Sequence, residues 1–163
     1  MKIGILSDTH DHMQNLGKAL EIFKAEGCER VLHAGDFVSP FVLRLFKEYE
    51  LPLTGVFGNN DGEVLMLVKV SEGIGELKKG PQELSIGGRR VALMHEPVFL
   101  DALFKSGQFD LIIYGHTHQP KLEGAEGQGP LVVNPGAGCG IMTEKATAVI
   151  CDLEKMSSRL VVL

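Results

Sequence analysis

The chain has 163 residues, a formal net charge of −5 and 44% hydrophobic content, which suits one domain spanning 1–163, since about 70% of the unfolded surface is buried at this size. The acidic balance opposes any binding mode that neutralises many nucleic-acid phosphates, and with no tryptophan and two tyrosines a base-stacking platform is disfavoured. No run of about 18 apolar residues exists and a single Lys2 precedes an apolar segment, so neither a membrane span nor a signal peptide is expected, and a soluble cytoplasmic protein is.

Residues 2–6 read as a strand, and 13–26 as a helix with Leu16, Ala19, Leu20 and Phe23 on one face and Gly27 at its C-terminus. Residues 30–33 form the next strand. Ser39 and Pro40 read as an N-cap and first helical position of a helix through about Tyr49, and 53–57 is a third strand. Residues 62–70 form a short helix, and 72–80 are polar and glycine-containing enough to be a loop. Segments 83–86 and 89–94 flank Gly87-Gly88, a two-residue hairpin signal. Residues 97–106 have helical spacing, 109–114 form a buried strand, and 131–133, 146–152 and 159–163 are further strands. A parallel βαβ beginning and a hairpin-rich second half imply an α/β fold of two packed mixed β-sheets, a sandwich flanked by helices in αββα layers.

Cys28, Cys139 and Cys151 are odd in number and far apart, which fits buried reduced thiols and excludes a thiolate zinc ribbon. The basic doublets Lys78-Lys79 and Arg89-Arg90 read as solvated surface charge.

The chemistry lies in five short motifs: Asp8-Thr9-His10, Gly35-Asp36, Gly58-Asn59-Asn60-Asp61, His95, and Gly115-His116-Thr117-His118. Each follows directly on an apolar strand. In open α/β sheets ligands bind outside the carboxyl ends of the strands, so the topology carries all five to one edge. Carboxylate, imidazole and amide oxygen without thiolate suit borderline divalent ions such as manganese, iron, cobalt, nickel or zinc, and there are donors enough for two. Singly, each residue has a plainer reading. Asp8 caps the following helix, Asp36 stabilises a turn, Asn59 to Gly62 form a turn, and His95 is a satisfied buried histidine. His33, inside a strand, is read as structural.

The ordered ensemble resembles the calcineurin-like metallophosphoesterase superfamily, in its small bacterial and archaeal phosphodiesterase branch, over nearly the whole chain. Asn134-Pro135-Gly136 resembles a further signature of that family. The resemblance implies the same two-sheet sandwich. It assigns Asp8, His10, Asp36 and His118 to a first metal and Asp36, Asn59, His95 and His116 to a second, with Asp36 bridging. Two divalent ions follow, manganese first and nickel, iron, cobalt or zinc as alternatives. Hydroxide held between them would attack phosphorus in line with the departing oxygen.

Three positions depart from the wider family. Asn60 stands where many members carry a histidine thought to protonate the leaving group; an amide binds phosphate oxygen but is no general acid. His12 is the candidate substitute. Glu96 replaces a common glycine and either narrows the pocket or points to solvent. Ala137 replaces a serine, with a structural effect expected.

The implied activity is hydrolysis of small phosphodiesters, without duplex nucleic acid or membrane as partner and with the oligomeric state open. A phosphomonoesterase using the same centre is one alternative. The other is a non-catalytic protein-binding scaffold, since the superfamily includes a retromer subunit of this fold. Retention of all seven ligands opposes the scaffold.

Overall fold

A computed structural model of the protein describes residues 1–124 and 129–163. Its first sheet is built from four parallel strands, β1 (Lys2–Leu6), β2 (Cys28–His33), β3 (Leu53–Phe57) and β4 (Gly75–Lys79). The antiparallel pair β10 (Thr147–Asp152) and β11 (Ser157–Val162) completes it in the order β11-β10-β1-β2-β3-β4. The second sheet has the order β5-β6-β7-β9-β8, from β5 (Gln82–Ile86), β6 (Arg89–Leu93), β7 (Leu111–Ile113), β8 (Lys121–Glu123) and β9 (Leu131–Asn134). There β6, β7 and β9 run parallel, and β5 and β8 are antiparallel edges.

Alternation along the strands sends side chains to two different cores. Ile3, Ile5, Leu32, Ala34 and Val56 of the first sheet pack against Val91, Leu93, Leu111, Ile113 and Val133 of the second. On the outer face of the first sheet, Leu6, Val31 and Leu53 meet Leu16, Ala19, Leu20 and Phe23 of helix α1 (Met13–Ala25). Those four recur at helical spacing and are at most 1% exposed, and each large one contributes about 1.5–3 kcal/mol by leaving water. The second sheet's outer face, with Ala92, Met94, Ile112 and Tyr114, is covered by Leu100 and Leu103 of α4 (Leu100–Ser106). The layers are therefore αββα, as expected.

Three local expectations are corrected. The segment 72–80, read as a loop, contains β4, which pairs in parallel with β3. Only Leu77 of that edge strand is buried, so its apolar alternation is almost invisible in sequence, and the ladder to β3 supplies what propensity does not. The helix after Ser39 is a 3-10 turn, Pro40–Leu43, leading into α2 (Arg44–Glu48). Ser39 makes no cap bond: its hydroxyl donates to Asp11 Oδ2 at 2.6 Å and its N–H to Asp11 Oδ1 at 2.9 Å, a stronger acceptor than a neutral partner. Finally, α1 is capped by His12, whose Nδ1 accepts the Asn15 N–H at 3.2 Å, so Asp8 does not serve as the cap.

The short helix expected over 62–70 is α3 (Val64–Ser71), and β8, three exposed residues, had no counterpart in the sequence reading.

Candidate metal centre

Parallel β1, β2 and β3 of one sheet, and β6 and β7 of the other, end where the five motifs begin. The side chains consequently meet across the gap between the sheets. His118 Nε2 lies 3.1 Å from Asp8 Oδ1, and His10 Nε2 lies 3.9 Å from the same oxygen. A second group forms around Asn59 Oδ1, 2.8 Å from His95 Nε2 and 2.9 Å from His116 Nδ1. Asp36 stands between the two: its Oδ2 is 3.5 Å from His10 Nε2 and 3.5 Å from His95 Nε2. All seven residues assigned by the family resemblance come together.

The donors are arranged as a cation requires. Asp8 Oδ1 and His10 Nε2 are buried and lack any hydrogen-bond partner among the described residues. Such an orphaned carboxylate oxygen is costly unless a positive charge sits beside it. His95 Nδ1 is 2.7 Å from the Ala34 carbonyl, which can only accept, so Nδ1 carries a proton and Nε2 is the ring nitrogen turned to Asn59 Oδ1, 2.8 Å away. Two such atoms 2.8 Å apart have the spacing of neighbours around one divalent ion. Ligand atoms of Asp8, His10 and His118, and again of Asp8, Asp36 and His95, all lie within 4.8 Å of one another. Oxygen and imidazole donors without thiolate fit borderline divalent ions.

Close backbone approaches explain two motif glycines. A Cβ on Gly58 would fall on Asp36 Oδ1 and lie 2.6 Å from Asp36 N, and one on Gly115 would fall on Ser7 Oγ and lie 2.9 Å from Asp8 Oδ2. The candidate ligands themselves are not glycine, yet Asp8 (φ 53°), His10 (41°), Asp36 (61°), His116 (65°) and His118 (58°) are all left-handed. Each such residue costs on the order of 1–3 kcal/mol and persists only where its surroundings hold it, a pattern that gathers at functional sites.

The holding groups are identifiable. Asp8 Oδ2 accepts the His116 N–H at 3.0 Å, tying β1 to the loop after β7. Asn134 Nδ2 donates to the Gly115 carbonyl at 3.0 Å and to Thr117 Oγ1 at 2.9 Å, fixing that loop again. His33 is fully buried and stacked on Phe37 at 3.7 Å. Its Nδ1 accepts the Gly35 N–H at 3.2 Å, leaving Nε2 to donate to Thr9 Oγ1 at 3.1 Å. Burial first, then His95 and His10 nearby, hold its pKa well below the ordinary value. His33 is structural, as expected. Asp61, legible in sequence only as part of a turn, accepts the Val38 and Gly58 N–H groups at 2.7 Å each.

Asn60 is turned to Asp36, with Nδ2 donating to Oδ2 at 2.7 Å and the backbone N–H to Oδ1 at 2.8 Å. His12 is half-buried at the α1 cap, its Nδ1 engaged and Nε2 free of protein partners among the described residues. Ala137 is wholly buried and its carbonyl accepts the Thr147 N–H at 3.1 Å, in keeping with a structural role.

Paired mixed sheets carrying a metal-ligand cluster at their carboxyl ends are the architecture of metal-dependent phosphoesterases. The chain belongs to the calcineurin-like phosphoesterase superfamily, whose domain model matches residues 1–156. Phosphodiesterase MJ0936 of Methanocaldococcus jannaschii is 41% identical to it over 100% of this chain and 99% of that protein. A solved archaeal phosphodiesterase superposes with a TM-score of 0.92 at 40% identity, over the whole of both chains. Vacuolar protein sorting 29 from Cryptosporidium parvum, at 17% identity and a TM-score of 0.69 over 99% of this chain and 96% of that one, shares the fold alone.

Proposed function

We propose that the protein is a metal-dependent phosphodiesterase, hydrolysing small phosphodiesters at a dinuclear centre held by Asp8, His10, Asp36, Asn59, His95, His116 and His118. The observation that carries this reading is the place of Asp36, with one carboxylate oxygen 3.5 Å from a histidine of each group. Likeness to the methanogen phosphodiesterase over both full lengths supports the diester over the monoester. The scaffold reading is disfavoured because orphaned buried donors would burden a protein that had no ion to bind.

Divalent ions held there, manganese first among them, would lower the pKa of a water towards about 7 and screen the phosphate charge. Asp8 and Asp36 offset half of the four positive charges two such ions bring, leaving about +2 to attract an anion despite the acidic chain. Asn60 clamps Asp36 and lies next to the place where phosphate oxygens would sit. His12, through its free Nε2, is the candidate donor of a proton to the leaving oxygen. The same reading takes residues 1–163 as one domain acting in the cytoplasm on a diffusible phosphate ester, without duplex nucleic acid or membrane.

The test compares 4-nitrophenyl phosphate with bis(4-nitrophenyl) phosphate on metal-stripped protein reloaded with manganese, nickel, zinc or magnesium. Diester hydrolysis should need added metal and fall at least about a hundredfold in Asp36→Asn. Equal activity in that variant would sink the two-metal reading.

A further inference from the structure

Beside the candidate centre, at the ends of β3, β4 and β6, lies a recess of about 480 Å³. That is within the range of small-molecule sites, about 300–1,000 Å³. Its lining joins two candidate ligands, Asn59 and His95, to Phe57, Val64, Lys79 and Glu96. Phe57 and Val64 are half-buried apolar surface, whereas Lys79 and Glu96 are exposed. Neighbouring Lys78 is paired with Glu76 at 2.7 Å, but Lys79 contributes only its carbonyl, to Gln82. Among the described residues neither the Lys79 ammonium nor the Glu96 carboxylate has an ion-pair or hydrogen-bond partner.

We propose that this recess receives the second, non-departing arm of the phosphodiester, and that Phe57, Lys79 and Glu96 select a neutral arm with a flat apolar face and a hydrogen-bonding edge. This rests on the phosphodiesterase reading and gives it a substrate class. A phosphate held by a group that includes Asn59 and His95 has its ester substituents within reach of a recess lined by the same two residues. A monoester has nothing to fill it. One free cation and one free anion in the lining sum to zero, so a neutral arm meets a donor at Lys79 and an acceptor at Glu96. A charged arm always meets one like charge. Phe57 and Val64 supply the contact for a ring. The pair of residues that sequence alone assigns to solvated charge and to an unexplained departure from the family thereby gain a common role.

The test is equilibrium binding to the manganese-loaded protein, by calorimetry, of monomethyl phosphonates, whose P–C arm cannot depart. The arms compared are methyl, 4-carboxamidophenyl and 4-carboxyphenyl. The wild type should bind the carboxamidophenyl compound at least about tenfold more tightly than the methyl one. Phe57→Ala should remove most of that preference. The exposed Lys79→Gln and Glu96→Gln changes, which leave the core untouched, should act in opposite directions on the carboxyphenyl compound, weakening and tightening it by about fivefold respectively. Equal binding of all arms, no binding of any, or both charge variants shifting the carboxyphenyl compound alike would overturn the proposal. Arm selectivity without hydrolysis of any diester would leave this recess assigned and remove the enzymatic reading. Hydrolysis without arm selectivity would do the reverse.

Discussion

The Asp61 carboxylate reaches back 25 positions to accept the backbone N–H of Asp36 at 3.1 Å. It thereby locks the loop that follows β2 to the loop that follows β3, since the same side chain takes the Gly58 and Val38 N–H groups. Asparagine has one acceptor oxygen and would turn an NH₂ group towards at least one of those donors. Asp61→Asn is expected to cost about 1–3 kcal/mol of stability and to weaken metal binding about 10–100-fold. Urea unfolding and a manganese titration check the two halves separately, and unchanged metal affinity would show that Asp61 does not position Asp36.

Gly58 and Gly62 make a matched pair for the same loop. A Cβ at 58 collides with Asp36, while one at 62 meets nothing within 4 Å. Gly58→Ala should therefore lower the melting temperature, by overpacking worth about 1–3 kcal/mol, and displace the Asp36 carboxylate so that metal affinity falls as well. Gly62→Ala should do neither. If both behave alike, the close approach of β3's loop to Asp36 has no functional weight.

His33 ties stability to acidity. Its folded pKa is held well below the ordinary 6.5, so the unfolded chain takes up this proton more readily than the folded one. The contribution is complete above about 6.5 and is lost as pH falls below that towards the lowered folded value. Metal-free protein should lose stability between pH 6.5 and 5, and His33→Gln should flatten that slope by up to about 1.4 kcal/mol per pH unit. Denaturation curves at a series of pH values decide it; identical slopes would mean that other groups drive the acid response.

His12 has two functions that separate by substitution. Its Nδ1 caps α1, and only Nε2 is left to carry a proton. His12→Asn keeps a capping side chain and removes the acid, so stability should hold while hydrolysis of diesters with poor leaving groups falls about a hundredfold. Esters of 4-nitrophenol, which leave without protonation, should be little affected. Equal losses on both substrate types would exclude His12 as the leaving-group acid.

Much of this is legible in the sequence because β-branched runs announce strands and each motif follows one. The candidate ligand set comes from the family resemblance that the order of the motifs carries. What stayed hidden is physical rather than accidental. Edge strand β4 buries Leu77 alone, and β8 buries nothing, so neither carries a period-2 signal. Asp61 and Asn60 lie in a sequence whose composition says turn, and nothing in composition tells which backbone N–H a carboxylate will take 25 residues upstream. Ser39 precedes a proline as caps often do, yet Asp11, distant in sequence, outcompetes the helix for it. Left-handed backbone at five candidate ligands is likewise invisible, since aspartate and histidine adopt it here under tertiary compulsion.

The candidate donors are divided unequally between the sheets. Every candidate oxygen donor, from Asp8, Asp36 and Asn59, follows a strand of the first sheet, as does His10, and the second contributes only the imidazoles of His95, His116 and His118. Spans from those oxygens to His95, His116 and His118 are therefore set by how the two sheets seat on one another, through Ile5, Val56, Leu93 and Ile113 in the layer between them, whereas those to His10 stay within the first sheet. Those apolar side chains act as the jaws of a caliper. Trimming one would change the bite that the proposed centre offers a cation, and with it the choice among ions of different radius, without altering a single candidate ligand.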